Sequence, residues 1–317
     1  MHVFRGIPTH GDRPCVLTIG NFDGVHLGHK ALLARLCEQA HALGLPATVL
    51  CFEPHPREFF TPDSAPPRLC SLRRKLELLR EAGIDQVCVQ PFDAAFASLE
   101  ADEFIRKVLI SGFQARHLII GDDFRFGHAR CGNFATLLAA GKEYGFGIES
   151  MHTLAVDGER VSSSAIREAL QSGNIAHAQK MLGEPFVVAG RVGPGDQIGR
   201  TIGYPTANIG LSQATLPLSG IFAVSVDGGP LHGAMGAANV GVRPTIGDRL
   251  ALRLEVFVLD FSGDLYGQRL SVRFHHKIRS EAKFDSLKIL IAAIDEDCRQ
   301  VRKYFSDNPL LVADQNG

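Results

Sequence analysis

The chain has 317 residues, room for two domains with separate cores, and its 33 Lys+Arg against 34 Asp+Glu leave a formal net charge of -1. That balance argues against a general nucleic-acid binder or a membrane-surface protein. The seven scattered cysteines (Cys15, Cys37, Cys51, Cys70, Cys88, Cys131 and Cys298) contain no C-x-x-C pair, which argues against a disulfide framework or a zinc ribbon and predicts a reducing, cytoplasmic setting. Residues 1–6 lack a signal-peptide core, and no apolar run reaches the roughly 18 residues of a membrane span, so a soluble intracellular protein is expected.

Residues 16–19 read as a buried strand. Behind them Leu32, Leu36, Ala40 and Leu43 recur at helical spacing, with Gly44 placed to end the helix. Between the two runs Gly20-Asn21-Phe22-Asp23-Gly24-Val25-His26-Leu27-Gly28-His29, so both histidines fall where strand becomes helix. Gly20 and Gly24 relieve crowding in the turn, and Gly28 lets a ligand approach the backbone. A helix N-terminus offers free N–H groups and a positive dipole end, which suit phosphate. Taken alone, His26 and His29 also fit a zinc pair at i, i+3, although no third ligand is placed to complete it, or ordinary capping.

Residues 47–52 form a second strand-like run, stopped by the prolines of Glu53-Pro54-His55-Pro56-Arg57. Ser71 caps a predicted helix carrying Leu72, Leu76 and Leu79; residues 87–89 read as strand; Phe104, Val108 and Leu109 mark a helix; residues 117–120 are strand again. This alternation predicts an open parallel sheet with helices on both faces and ligands at the carboxyl ends of the strands. The loops to watch are 20–29, 53–57 and 121–133. In the last, Asp123, Phe124, Arg125, Phe126 and Arg130 lie between glycines. Two aromatics and two arginines can cover a flat ring and a phosphate, or Phe124 and Phe126 can pin the loop to the core. Farther on, Ser162, Ser163 and Ser164 precede Arg167 by one turn, a second anion clamp with helix-capping as its plainer use.

A short closing helix is predicted over residues 175–182, broken by Gly183-Glu184-Pro185, and the domain boundary is placed there, giving domains 1–183 and 184–317. Strand-like runs then dominate (186–189, 221–226, 252–259, 270–274), which predicts a small closed antiparallel barrel. A long helix follows, with Leu287, Ile291, Ile294, Cys298, Val301 and Phe305 on one face. The segment holding Gly195, Gly199 and Gly203 is glycine-rich and suits phosphates or a tight turn, and it is no P-loop. Glu255 interrupts an apolar strand; alternation puts it on the face of Arg253 and Phe257, where a solvent-facing carboxylate is the plain reading.

In its motifs the chain resembles the bifunctional bacterial riboflavin kinase/FMN adenylyltransferases. The carriers are G-N-F-D-G-V-H-L-G-H (20–29), G-D-D-F-R-F-G (121–127), S-S-S-A-I-R (162–167), G-Y-P-T-A-N (203–208) and L-E-V (254–256). The resemblance implies a Rossmann-like nucleotidyltransferase domain followed by a riboflavin kinase-like barrel. Expected activities are phosphorylation of riboflavin by ATP to FMN, then adenylyl transfer from a second ATP to FMN, giving FAD and pyrophosphate, with Mg²⁺ as cofactor. It implies His26, His29 and Arg167 at the triphosphate, with Gly20, Asn21, Phe22, Gly28, Ser163 and Ser164 around that ATP. Asp123, Phe124, Arg125 and Phe126 fall beside the flavin nucleotide. In the barrel, Thr206 and Asn208 bind Mg²⁺, Gly195, Gly199 and Gly203 the kinase ATP, Glu255 acts as base, and Arg279 touches the flavin or product phosphate. Two departures stand out: Ala165 where threonine is common, and Phe257 where histidine is usual. The rival readings are one degenerate half, or a non-catalytic flavin sensor; the retained site residues oppose both.

Overall fold

The computed structural model describes residues 1–195, 203–211, 215–244 and 250–309. Contacts divide the chain into two compact units, one of Met1–Pro66 with Leu72–Ser162, the other of Pro67–Ser71 with the chain from Ser163 onward.

The first unit runs β1 (His2–Arg5), β2 (Cys15–Ile19), α1 (Leu27–Leu43), β3 (Ala47–Glu53), α2 (Pro56–Phe60), α3 (Leu72–Glu81), β4 (Gln86–Pro91), α4 (Ala94–Ala97) and α5 (Ala101–Phe104). A π-helical stretch Ile105–Gly112, β5 (Ala115–Gly121), α6 (Phe134–Tyr144), β6 (Gly147–Met151) and the small hairpin β7 (Ala155–Val156) and β8 (Glu159–Arg160) complete it. The six-stranded sheet is parallel, in the order β1-β4-β3-β2-β5-β6. Chain order reverses between β2 and β5, so the loops leaving these strands diverge and open a crevice at their carboxyl ends. Strand β2 is buried on both faces: Cys15, Leu17 and Ile19 join one apolar cluster, while Val16 joins the other. Period-two alternation thus splits a run that reads as uniformly apolar. The sequence reading missed β1 and β6, whose residues are half-exposed edge positions with little hydrophobic signal.

The second unit begins with α7 (Ser163–Ser172) and α8 (Ile175–Leu182). Gly183 ends α8 in the left-handed conformation, φ 74°, as the Gly-Glu-Pro break anticipates. Then come β9 (Phe186–Gly193), β10 (Thr206–Gly210), β11 (Gly220–Gly228), β12 (Leu231–Pro244), β13 (Leu250–Val258), β14 (Arg269–Arg279) and α9 (Leu287–Asp307). The six strands close into an antiparallel barrel, β10-β13-β12-β11-β14-β9. Its interior takes Phe222, Val224, Leu254, Val256, Val272 and Phe274, all essentially inaccessible. Helix α9 packs Val301 and Phe305 against Ala223, Met235, Ala237 and Phe257 of the barrel wall. The longest strand, β12, is rich in Gly and Ala, which is why its period-two signal did not register.

Candidate active sites

In the first unit the loop after β2 is strained. Phe22 and Val25 hold φ of 47° and 40°, with Gly24 at 80° between them. A β-branched residue in the left-handed region is costly and persists only where the surroundings enforce it. Here both Phe22 and Val25 are sunk in the core that also holds α1. The turn delivers His26 to the N-cap of α1, where its Nδ1 accepts the His29 backbone N–H at 3.3 Å. The two imidazoles stack with centroids 3.6 Å apart, and Phe22 packs on His29 at 5.0 Å. A Cβ on Gly28 would lie 3.3 Å from the His26 ring, so the glycine keeps the approach to the pair open. Burial, then the neighbouring His26 and then Lys75, hold His29 well below its ordinary pKa of 6.5. Around this turn Thr18 Oγ1, Asn21 Oδ1 and His29 Nδ1 are buried without a hydrogen-bond partner. Buried polar atoms are normally paired, and such a group of unpaired ones at a strand's carboxyl end fits a polar ligand. Among the described residues no three His, Cys, Asp or Glu side chains gather as they would to hold a metal ion.

The loop after β5 divides its residues between two tasks. Phe126 is in the core, with its backbone paired to Gly132, so the pinning role holds for it. Phe124 stacks on Phe126 at 5.8 Å and stays partly exposed. Asp123 and Arg125 are exposed, and Asp123 accepts a bond from Arg160 at 3.0 Å. The sequence reading missed an aromatic ledge beyond β3: Phe59, Phe60 and Phe92 meet edge to face, and Phe60 remains 62% exposed. An apolar ring left this open on a short helix after a sheet strand is the signal that was available.

Ser163, Ser164 and Arg167 lie on α7, in the second compact unit, whereas His26 and His29 lie in the first. Arg167 is buried, and its Nε donates to the Pro67 carbonyl at 2.6 Å.

On the barrel, pairing aligns the predicted residues. Asn208 stands opposite Glu255, and Glu255 opposite Asn239, so three oxygen-bearing side chains form a row across β10, β13 and β12. Thr206 pairs with Phe257 in the next row on the same face. This face looks away from the interior lined by Leu254 and Val256, as alternation predicts. Arg253 Nη1 is 3.3 Å from Glu255 Oε1. Asn239 Oδ1, in a stretch (239–245) that also resembles the kinase family but was given no role of its own, is buried and unpartnered. Hydroxyl, amide and carboxylate oxygens suit Mg²⁺, which takes few protein ligands and completes its shell with water and phosphate. Gly195 leaves room for the Asn208 amide: a Cβ there would lie 2.1 Å from it and would push that side chain aside. Gly203 turns the chain at φ 91° just before β10, and Gly199 lies outside the described residues. Phe257 meets the ring of Tyr204 edge-on at 5.3 Å, and the Tyr204 hydroxyl donates to Asp295 of α9. That bond raises the phenol to about 12. Phe257 therefore anchors the turn into β10. Arg279 grips buried Asp297 of α9 through Nε and Nη2 at 2.8 and 2.7 Å, which leaves little of its fork for a ligand. A cleft of about 290 Å³ lies beside β13, lined by Gln171, Leu216, Pro217, Gly241, Leu252 and Glu281 among others.

A parallel sheet with a phosphate-suited turn at its switch point, together with a barrel carrying a row of hard oxygen donors, defines a two-module transferase acting on phosphoryl groups. Comparison with known proteins narrows the class. The FAD synthetase family model matches residues 9–165, and the riboflavin kinase family model matches residues 182–305. The bifunctional riboflavin kinase/FMN adenylyltransferase of Escherichia coli K12 is 46% identical over 308 residues, covering 96% of this chain and 98% of its own. Its counterpart from Haemophilus influenzae is 46% identical over 294 residues, covering 92% and 94%. A solved chain described as a macrolide-efflux protein from Streptococcus pneumoniae matches 95% of this chain and 99% of its own, with a TM-score of 0.81 and 29% identity. Among the described residues no helix is long and apolar enough to cross a membrane. The chain belongs to the family of bifunctional riboflavin kinase/FMN adenylyltransferases.

Proposed function

We propose that this chain phosphorylates riboflavin on the barrel and adenylylates FMN at the β2 turn, in the cytoplasm. The observation that carries the reading is the coexistence of a stacked histidine pair at the switch point and the Asn208–Glu255–Asn239 row. For adenylyl transfer, the FMN phosphate is already a nucleophile, so positioning and charge neutralisation supply the catalysis. His26 and His29 face the α- and β-phosphates, with Gly20, Asn21, Phe22 and Gly28 shaping the wall. Ser163, Ser164 and Arg167 clamp the leaving pyrophosphate, Arg167 being oriented by its bond to Pro67. Phe124 offers a face to the flavin rings, Phe126 supports it, and Asp123 and Arg125 border the ribityl phosphate.

In the kinase half, Glu255 accepts the proton of the riboflavin 5′-hydroxyl as that oxygen bonds to the γ-phosphorus of ATP, whose bond to the β,γ-bridging oxygen breaks and releases ADP. Gly195, Gly199 and Gly203 let the backbone approach the triphosphate. Thr206 and Asn208 would hold Mg²⁺, which when bound offsets charge on the phosphates. Arg279, fixed by Asp297, retains only its outer N–H groups for a flavin phosphate. The functional modules divide at residue 183, where the Gly183 cap is followed by Pro185. Chromatography of a reaction with riboflavin, ATP and Mg²⁺ tests the whole reading: FMN and FAD should both form. A single product indicates one degenerate half, and neither product indicates a flavin sensor.

A further inference from the structure

Lys75, on α3, is 4% exposed, and no carboxylate or hydrogen-bond acceptor among the described residues engages it. Almost the whole side chain is out of water with no group among the described residues opposite its charge, a placement that costs stability and that an arriving anion would offset. Its location follows from packing. Leu72, Leu76, Leu78 and Leu79 of the same helix share a core cluster with Phe22 and Val25 of the strained turn. The charge of Lys75 is felt at His29 in the first turn of α1 and at Cys51 in the carboxyl half of β3. His29 and Cys51 both lie toward the carboxyl edge of the sheet, so the helix that shares their core carries Lys75 to the side of the sheet where the Nδ1 of His29 is unpartnered.

We propose that Lys75 is a phosphate-contacting residue of the adenylyl-transfer site, placed to neutralise charge on the departing pyrophosphate. The inference rests on the reading that the histidine pair faces the triphosphate. In the step concerned, an oxygen of the FMN phosphate forms a bond to the α-phosphorus of ATP. The bond from that phosphorus to the α,β-bridging oxygen breaks, and its electron pair leaves on pyrophosphate. No proton needs to be removed from the attacking group and no oxidant or reductant enters. The step gains from each cation where negative charge accumulates; at the histidine turn His29 is held neutral by its surroundings, and Lys75 adds a charge there.

The test uses the full chain, with riboflavin phosphorylation as an internal control. Lys75→Met should lower FAD formation from FMN by about 10²-fold, the scale of losing one transition-state partner. In the reverse reaction, FAD cleavage by pyrophosphate, the KM for pyrophosphate should rise at least about tenfold, while FMN formation from riboflavin stays unchanged. The Tm should hold or rise, because an uncompensated charge leaves the core. Lys75→Arg should recover part of the rate. FAD formation by Lys75→Met within about threefold of the parent protein overturns the inference. So does a fall in Tm with an unchanged KM for pyrophosphate, the pattern of a purely structural lysine. His29→Ala, run alongside, separates the two levels. If it too is normal, the histidine reading itself fails; if it is impaired and Lys75→Met is not, only the role of Lys75 falls.

Discussion

At the scale of single residues, Glu255 offers the sharpest test. Replacing it with Gln keeps shape and polarity but removes the proton acceptor. FMN formation from riboflavin should fall by roughly 10²–10⁴, the usual worth of a general base. FAD formation from supplied FMN should be untouched, because the histidine turn lies in the other compact unit. Normal riboflavin phosphorylation by folded Glu255→Gln protein would remove Glu255 from the mechanism. The residues that sequence reasoning found are those whose chemistry is written in local spacing: two histidines three apart, or a carboxylate in an apolar strand. Lys75, which it missed, and Asn239, which it noted only as part of a kinase-like stretch, are ordinary polar residues by composition. Lys75 stands out because a fold buries it, and Asn239 because pairing sets it beside Glu255.

At the scale of elements, the barrel's ties to its own strands and to α9 dominate. His275 of β14 is buried, with Nε2 2.8 Å from the hydroxyl of Ser225 on β11, and its ring packs edge-on against Phe305 of α9. Burial, and secondarily Arg273, lower it from 6.5 to about 4. The unfolded chain therefore binds a proton near pH 6.5 that the fold refuses, so stability is full above that pH and falls as pH drops toward 4. Between pH 7 and 5 the barrel should lose roughly 2 kcal/mol from this group. Calorimetry of His275→Gln should show a correspondingly shallower acid loss in the barrel's transition, and an unchanged slope would assign the acid sensitivity elsewhere. Breaking the Arg279–Asp297 pair with Asp297→Ala should cost about 3 kcal/mol, toward the low end for buried pairs because Arg279 is partly exposed. Denaturant midpoints at constant m-value would measure it. Sequence pattern located α1, α8 and α9 well because their apolar stripes and glycine stops are local. It passed over β10, because the turn into Thr206 reads as loop, and β12, because glycines and alanines carry little periodicity.

At the scale of the whole molecule, every motif assigned to adenylyl transfer lies before residue 168 and every kinase motif after 189. A fragment of residues 186–317 holds all six barrel strands and α9, and should make FMN from riboflavin with ATP and Mg²⁺. A fragment of residues 1–183 should make FAD from FMN and ignore riboflavin. It should also melt lower than the intact chain, because α8 buries Ile175, Ala178, Met181 and Leu182 and belongs by contacts with the barrel unit. A C-terminal fragment that is folded by circular dichroism yet inert toward riboflavin would overturn the modular division at residue 183. That the chain holds two compact units was legible from the change in periodicity, but contacts divide them at Ser162/Ser163, because α7 and α8 pack with the second unit. The grouping of Pro67–Ser71 with the second unit was not legible, since it depends on long-range contacts that no local pattern encodes.

The distribution of thiols gives the molecule a built-in reporter. Cys15, Cys51, Cys70 and Cys88 are buried, and burial pushes Cys15 up to about 11 and Cys88 to about 12, whereas Cys131 alone of the seven is exposed. It sits between Phe126 and the Gly132 that pairs with it, on the loop assigned to the flavin. Thiolate character and access together govern alkylation, so a maleimide dye at neutral pH should label the native chain first at Cys131. Peptide mapping would verify the position. Flavins absorb blue light strongly, so a dye emitting there would be quenched by energy transfer when FMN docks. That would turn one side chain into an optical readout of occupancy without any mutation of the protein.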